Sequence, residues 1–315
     1  MLKTNPDRIQ PACSRLEIAL AVFFASLLPI GVVVGLRVAC VFGCYTPTIA
    51  PLPPPSESAL SFNFSFVGET PPLFVQEQVA SAILMWQMFL INSTSTFTLA
   101  AGTYCSGTLT VASNWEVDGI YMVIRYEEIA SEGTLAQAGI CVYRDEMPRV
   151  GMIILDKTSM LELVATPRVV SEIVAHEMGH VLGIGTFWES GVDYVVENDG
   201  YPGYPYQHTN ANAAHVAYGG GGARARVEDE GGGGTRGAHW DEGVYDNELM
   251  TGYIESSDKY NHLSRISLGA LADIGFVINN TFAQSVLIYE LPPSSRRLRE
   301  NKKRMNYTNC IINLH

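Results

Sequence analysis

The stretch that decides the fold is IVAHEMGHVLGIG, residues 173–185. Thr166-Pro167 upstream offers an N-cap and a first-turn proline, so a helix is expected from there to about Gly183. On that helix Val169, Ile173, His176 and His180 form one stripe. Residues four apart share a helix face, so His176 and His180 can reach a single zinc ion. Glu177 sits beside them, placed to take a proton from zinc-bound water and pass it to a leaving amine. Two histidines and a glutamate packed in a helix without such a task would be ionisable groups buried without a partner, which is costly.

A third protein ligand is needed. The short metzincin pattern would supply a histidine at position 186, but Thr186 stands there. Candidates further along are His208, His215, His239 and His262, with Glu197 or Glu228 as acidic alternatives of the gluzincin kind. His239 is the strongest. It lies in GAHWDE and is followed by NELMTG, which places Met250 11 residues downstream in a turn-like context. A methionine turn beneath the zinc braces the ligands without binding the metal. His239 follows His180 after 58 residues that include two four-glycine runs, 219–222 and 231–234. Residues 189–238 show little regular signal, the glycine runs within them read as a flexible insertion, and the metal itself is expected to hold His239 in place.

Here a resemblance enters. HEMGHVLGIGTFW (176–188), TRGAHWDEGVYDNELMTGYI (235–254) and NHLSRISLGALADIGFVIN (261–279) resemble the leishmanolysin-like family of metzincin zinc endopeptidases. YQHTNANAAHVAYGG (206–220) and VEDEGGGG (227–234) are similar to segments that family places between its second and third zinc histidines. The likeness spans roughly 60–290 and fits a compact form of the family. It implies an α+β, metzincin-like zincin fold: a twisted mixed sheet with the active-site helix, and a C-terminal subdomain across the cleft. It further implies one catalytic Zn2+ held by His176, His180 and His239, Glu177 as general base, Met250 as the methionine of the turn, and protein or peptide substrates. Some members of the family are associated with cell adhesion; no residue read here supports that role, and an inactive adhesion module is the rival function.

Around this centre, LSFNFSFV (60–67) alternates as a strand, and Val79, Ile83, Trp86 and Leu90 mark a helix over 76–90. Residues 120–124 and 152–155 are short β-rich runs. Residues 60–290 therefore read as the metalloprotease domain, with a glycine-rich insertion at about 219–234 and a loose basic tail at 291–315. The first 17 residues read as a short cytosolic N-terminus, and 45–59 as a Pro/Ser-rich spacer. Residues 18–36 lack any charge, and a 19-residue run fits an uncleaved signal anchor better than a signal peptide, whose apolar core is about 7–15 residues. Lys3, Arg8 and Arg15 precede it, so the expectation is a single-pass membrane protein with a lumenal or extracellular catalytic domain; cleavage of the segment would give a secreted enzyme.

Four sequons, at Asn63, Asn92, Asn279 and Asn306, accord with that side of the membrane, and Cys105 with Cys141 is the best disulfide pair of six cysteines. The net charge of -12 argues against nucleic acid as a partner. The charge is uneven: 38–290 carries 10 basic against 29 acidic residues, whereas both ends are basic.

Overall fold

The computed structural model describes residues 59–283, apart from 93–95, 106–108, 111–113, 132, 189–191 and 193–200, together with 303–304. A four-stranded mixed sheet forms its frame. Strand β1 (Phe62–Val67) is followed by helix α1 (Leu73–Phe89) and the short β2 (Leu90–Ile91). An excursion of brief strands comes next: β3 (Phe97–Leu99), β4 (Tyr104–Cys105), β5 (Leu109–Thr110) and β6 (Trp115–Val117). The long strands β7 (Ile120–Glu127), β8 (Ala136–Arg144) and β9 (Met147–Asp156) complete the sheet in the order β1-β7-β9-β8. The β1–β7 and β7–β9 pairs are parallel, and β8 runs antiparallel at the edge. Asp145 and Glu146, both with positive φ (52° and 60°), make the tight turn that returns β8 into β9.

The middle strands bury both faces, as parallel strands covered on two sides do. Ile120, Met122, Ile124, Ile153 and Leu155 face the main core with the helices. Tyr121, Val123, Val150 and Met152 face a smaller core with Leu99 and Val117 of the excursion. Cys105 and Cys141 are joined by a disulfide there, with Cα atoms 5.3 Å apart. This alternation explains why only fragments of the strands are legible: a strand apolar on both faces loses its period-two signature.

After β9 come α2 (Lys157–Glu162) and α3 (Pro167–Val181). Pro167 opens α3 at its first turn, but Thr166 does not cap it; its hydroxyl donates to Leu163 O instead (3.3 Å). Trp86 of α1 donates Nε1–H to Ala175 O (3.0 Å), which ties α1 to α3 one residue before His176. Gly151 lets α3 lie close on β9, because a Cβ there would come 2.4 Å from Val181 Cγ1. Chain beyond α3 supplies β10 (Tyr204–Pro205), α4 (Thr209–Ala217), β11 (Arg226–Val227), α5 (Glu242–Tyr245), β12 (Tyr253–Ile254), α6 (Arg265–Ile274), β13 (Val277–Ile278) and α7 (Asn280–Ala283). Of the tail, β14 (Lys303–Arg304) pairs antiparallel with β12. The architecture is mixed α+β, a four-stranded sheet with helices packed on it, as the sequence leads one to expect.

Two expectations need correction. The single-pass membrane topology, with its signal anchor and its membrane contact, is withdrawn: among the described residues no helix is long and apolar enough to cross a membrane. The 18–36 run on which that expectation rested lies outside the described residues, as do the spacer at 45–58 and the sequon at Asn306. The second correction concerns the stretch that shows little regular signal and the first of its two glycine runs. It contains β10, α4 and β11, and its first glycine run is packed: a Cβ at Gly220 would strike the His215 ring at 2.1 Å, and one at Gly221 the Tyr201 ring at 2.1 Å. The second run differs, since Gly232 and Gly233 have nothing within 4 Å of a built Cβ.

Gly151→Ala should lower stability by about 1–3 kcal/mol, because the added methyl must push Val181 and the end of α3 away from β9. Urea unfolding of the two proteins measures it.

Candidate metal centre

The three imidazoles arrive from two places. His176 and His180 lie one turn apart on α3, and His239 sits in the loop before α5. Their Nε2 atoms converge: His176 to His180 is 3.0 Å, and His180 to His239 is 3.1 Å. Each ring commits Nδ1 to a main-chain carbonyl. His176 donates to Leu249 O (2.6 Å), His180 to Ile184 O (2.8 Å) and His239 to Thr235 O (3.0 Å). With the proton on Nδ1, each Nε2 carries a lone pair.

Three lone pairs meeting at one point repel unless a cation sits among them. Nitrogens at about 2.0–2.1 Å from a tetrahedral ion stand about 3.3 Å apart, close to the spacing found here. Burial, then the charges of His180 and His239, hold His176 well below the ordinary imidazole value. Burial lowers His180 to about 4, and burial with the charge of His180 holds His239 well below its usual value. All three are thus neutral donors at pH 7. This buried trio can hold a metal ion. Glu177 is fully buried beside it, at 0 % exposure.

The other candidates are elsewhere. Thr186 donates its hydroxyl to His180 O (2.9 Å) and so closes the end of α3, a structural task where the short motif would put a ligand. His208 is exposed at the start of α4, and His262 is half-buried beside Tyr260. His215 is buried but bound to Tyr245 OH (2.8 Å) and Gly221 O (3.1 Å). Glu228 accepts from the Glu230 and Glu242 amides and does not join the imidazole trio, and Glu197 lies outside the described residues. Of the sequons, Asn63 is exposed on β1, and Asn92 and Asn279 are half-buried.

Met250 lies directly under the helix that carries His176 and His180. A Cβ at Gly179 would come 2.4 Å from Met250 Sδ, so the thioether occupies the space a side chain would need. Gly185 does the same for the third ligand: with φ at +76°, it lets Ala238 O approach to 2.1 Å of a built Cβ.

Glu248 is the contributor that sequence reading misses. Its carboxylate is fully buried and accepts from Ser264 N (3.1 Å), Ser264 Oγ (2.7 Å), Ser267 Oγ and the Met250 amide. Ser267 Oγ in turn accepts from Trp240 Nε1 (2.9 Å), next to His239. The methionine turn, the first turn of α6 and the third ligand are therefore one hydrogen-bonded unit. Its signal is an acid directly before the apolar Leu249-Met250 pair of the NELM string, visible once that pair is read as buried. Burial raises the Glu248 carboxyl, against the pull of its hydroxyl and amide donors.

The loop of His239 is pinned on both sides. Glu228 N donates to His239 O (2.8 Å) and Asp241 N to Arg226 O (3.0 Å) on one side; Trp240 N donates to Met250 O (3.0 Å) on the other. Main-chain hydrogen bonds thus restrain this segment on both margins, in addition to whatever a bound metal contributes.

Comparison with known proteins places these features in a lineage. The family model described as leishmanolysin, peptidase M8, matches residues 92–291, which contain the whole imidazole trio, Glu177 and Met250. No curated protein matches the chain.

Two outcomes follow from the geometry. Glu248→Ala strands several buried donors at about 1–3 kcal/mol each, so it should lower stability by several kcal/mol and weaken zinc retention, read by calorimetry and metal analysis. Chelation should leave the Trp240 and Asp241 amides slow in hydrogen exchange, because main-chain partners hold both. Rapid exchange at these two amides in the metal-free protein would mean that the ion, and not the backbone, anchors the loop.

Proposed function

Because the chain belongs to the leishmanolysin family of zinc metallopeptidases, we propose that His176, His180 and His239 hold one catalytic Zn2+ and that Glu177 is its general base. The chain is a zinc metalloendopeptidase, and protein or peptide chains are its substrates. One observation carries the site assignment: three neutral, buried imidazoles from two separate segments direct Nε2 at a common point, with Glu177 next in the chain to the first. An all-nitrogen set of three histidines suits zinc and leaves a coordination position for water or substrate. Zinc, when bound, polarises the scissile carbonyl and lowers the pKa of water to about 7.

The remaining work belongs to the protein. Glu177 accepts the proton that the attacking water gives up, holds it on a carboxylate oxygen, and returns it to the amine as the peptide bond breaks. The Nδ1 bonds fix tautomer and ring orientation, so the Nε2 lone pairs need no reorganisation. Met250 and Glu248 keep the floor and the third ligand in register. Residues 60–290 form the catalytic domain in this reading.

Glu177→Gln should retain zinc and lose about 10²–10⁴-fold in turnover of a quenched peptide, since general acid–base catalysis is of that size. His239→Ala should lose zinc as well. Undiminished turnover of the Gln variant would remove Glu177 from the role of base, and full zinc occupancy after loss of His239 would remove the third ligand.

A further inference from the structure

We propose that Glu228, Asp229 and Asp241 form a second cation site, which takes a hard divalent ion of the calcium type through carboxylate oxygens. One oxygen from each of the three lies within 4.8 Å of the others. Two oxygens on opposite sides of a calcium ion, each at about 2.4 Å, are about 4.8 Å apart, so the three separations fall within the span of one coordination sphere. Glu228 is 2 % exposed and Asp241 0 %, whereas Asp229 is half-buried and opens the group toward solvent.

The independent sign of a ligand is Asp241 Oδ2. Asp241 Oδ1 accepts from the Val244 amide (3.1 Å) and caps α5, but Oδ2 is buried with no hydrogen-bond partner. A buried carboxylate oxygen left in this way costs free energy unless something positive reaches it. Gly203 lies against this oxygen, and only the absence of a side chain there leaves that flank uncovered: a Cβ would stand 3.0 Å from Oδ2 and 2.7 Å from Val227 O. An oxygen-only donor set favours calcium over zinc, which keeps the two metals at separate sites.

Position gives the site a purpose. Glu228 and Asp229 follow β11, and Asp241 lies two residues after His239. A cation there ties the two segments that already exchange main-chain bonds around the third imidazole.

The proposal is independent of the peptidase reading, and its test needs no turnover. Zinc-loaded, full-length protein is titrated with terbium(III), excited through tryptophan since Trp240 adjoins Asp241, and the signal is then competed with calcium chloride. Saturable luminescence displaced by calcium is expected, with a rise in Tm on adding calcium. Asp241→Asn and Asp229→Asn should each weaken calcium binding about tenfold or more, as loss of a charged ligand does, and exposed Asp258→Asn should leave it unchanged. Should Asp241→Asn fail to fold, the half-buried Asp229→Asn decides. Absence of saturable binding at millimolar calcium overturns the proposal, as does binding that is equal in wild type and Asp229→Asn; a proton shared among the carboxyl groups would then account for the cluster.

Discussion

Everything in this molecule answers to one constraint: three Nε2 lone pairs must meet within about an ion's reach while their rings stay neutral and buried. A single helix can deliver two of them at a spacing of four, but no helix can deliver a tetrahedral third. The third has to come from distant chain, and its backbone must be positioned to within a few tenths of an ångström. The sheet, α1 and the small core under the excursion serve mainly to present α3 as a rigid rail, through Trp86 and the close seat at Gly151. The C-terminal part brings the rest up to that rail.

The means of docking is a polar one in an apolar setting. Glu248 is a fully buried carboxylate, tolerable because four donors converge on it. In return it couples the methionine turn to α6 and, through Ser267 and Trp240, to the residue beside His239. A hydrophobic patch would bury area with less direction. Directional bonds fix register, and register is what three converging nitrogens require.

The sequence made the centre far more legible than its surroundings. The spacing of His176 and His180, and the acid between them, can be read directly because a helix turns local spacing into shared direction. Met250 was legible only with His239, and His239 only by its company, since no periodicity links 180 to 239. The strands around 136–144 and 147–156 were half-hidden because both faces are covered. The glycine run at 219–222 reads as slack, yet the His215 and Tyr201 rings press on Gly220, Gly221 and Gly222, and composition alone cannot tell close packing from flexibility. The apolar run at 18–36 told only of its own hydropathy.

The Nδ1 acceptors are all main-chain carbonyls, of Ile184, Thr235 and Leu249. A carbonyl is present whatever side chain a residue bears, so point replacement at these three positions cannot delete the acceptor. What would misplace it is a change in the number of residues between Glu228 and His239, or between His239 and Met250, because the loop is pinned at both margins. The outer shell of this centre is therefore tolerant of drift in side-chain identity and brittle toward insertions and deletions. Among related chains, segment length from 228 to 250 should vary less than composition does.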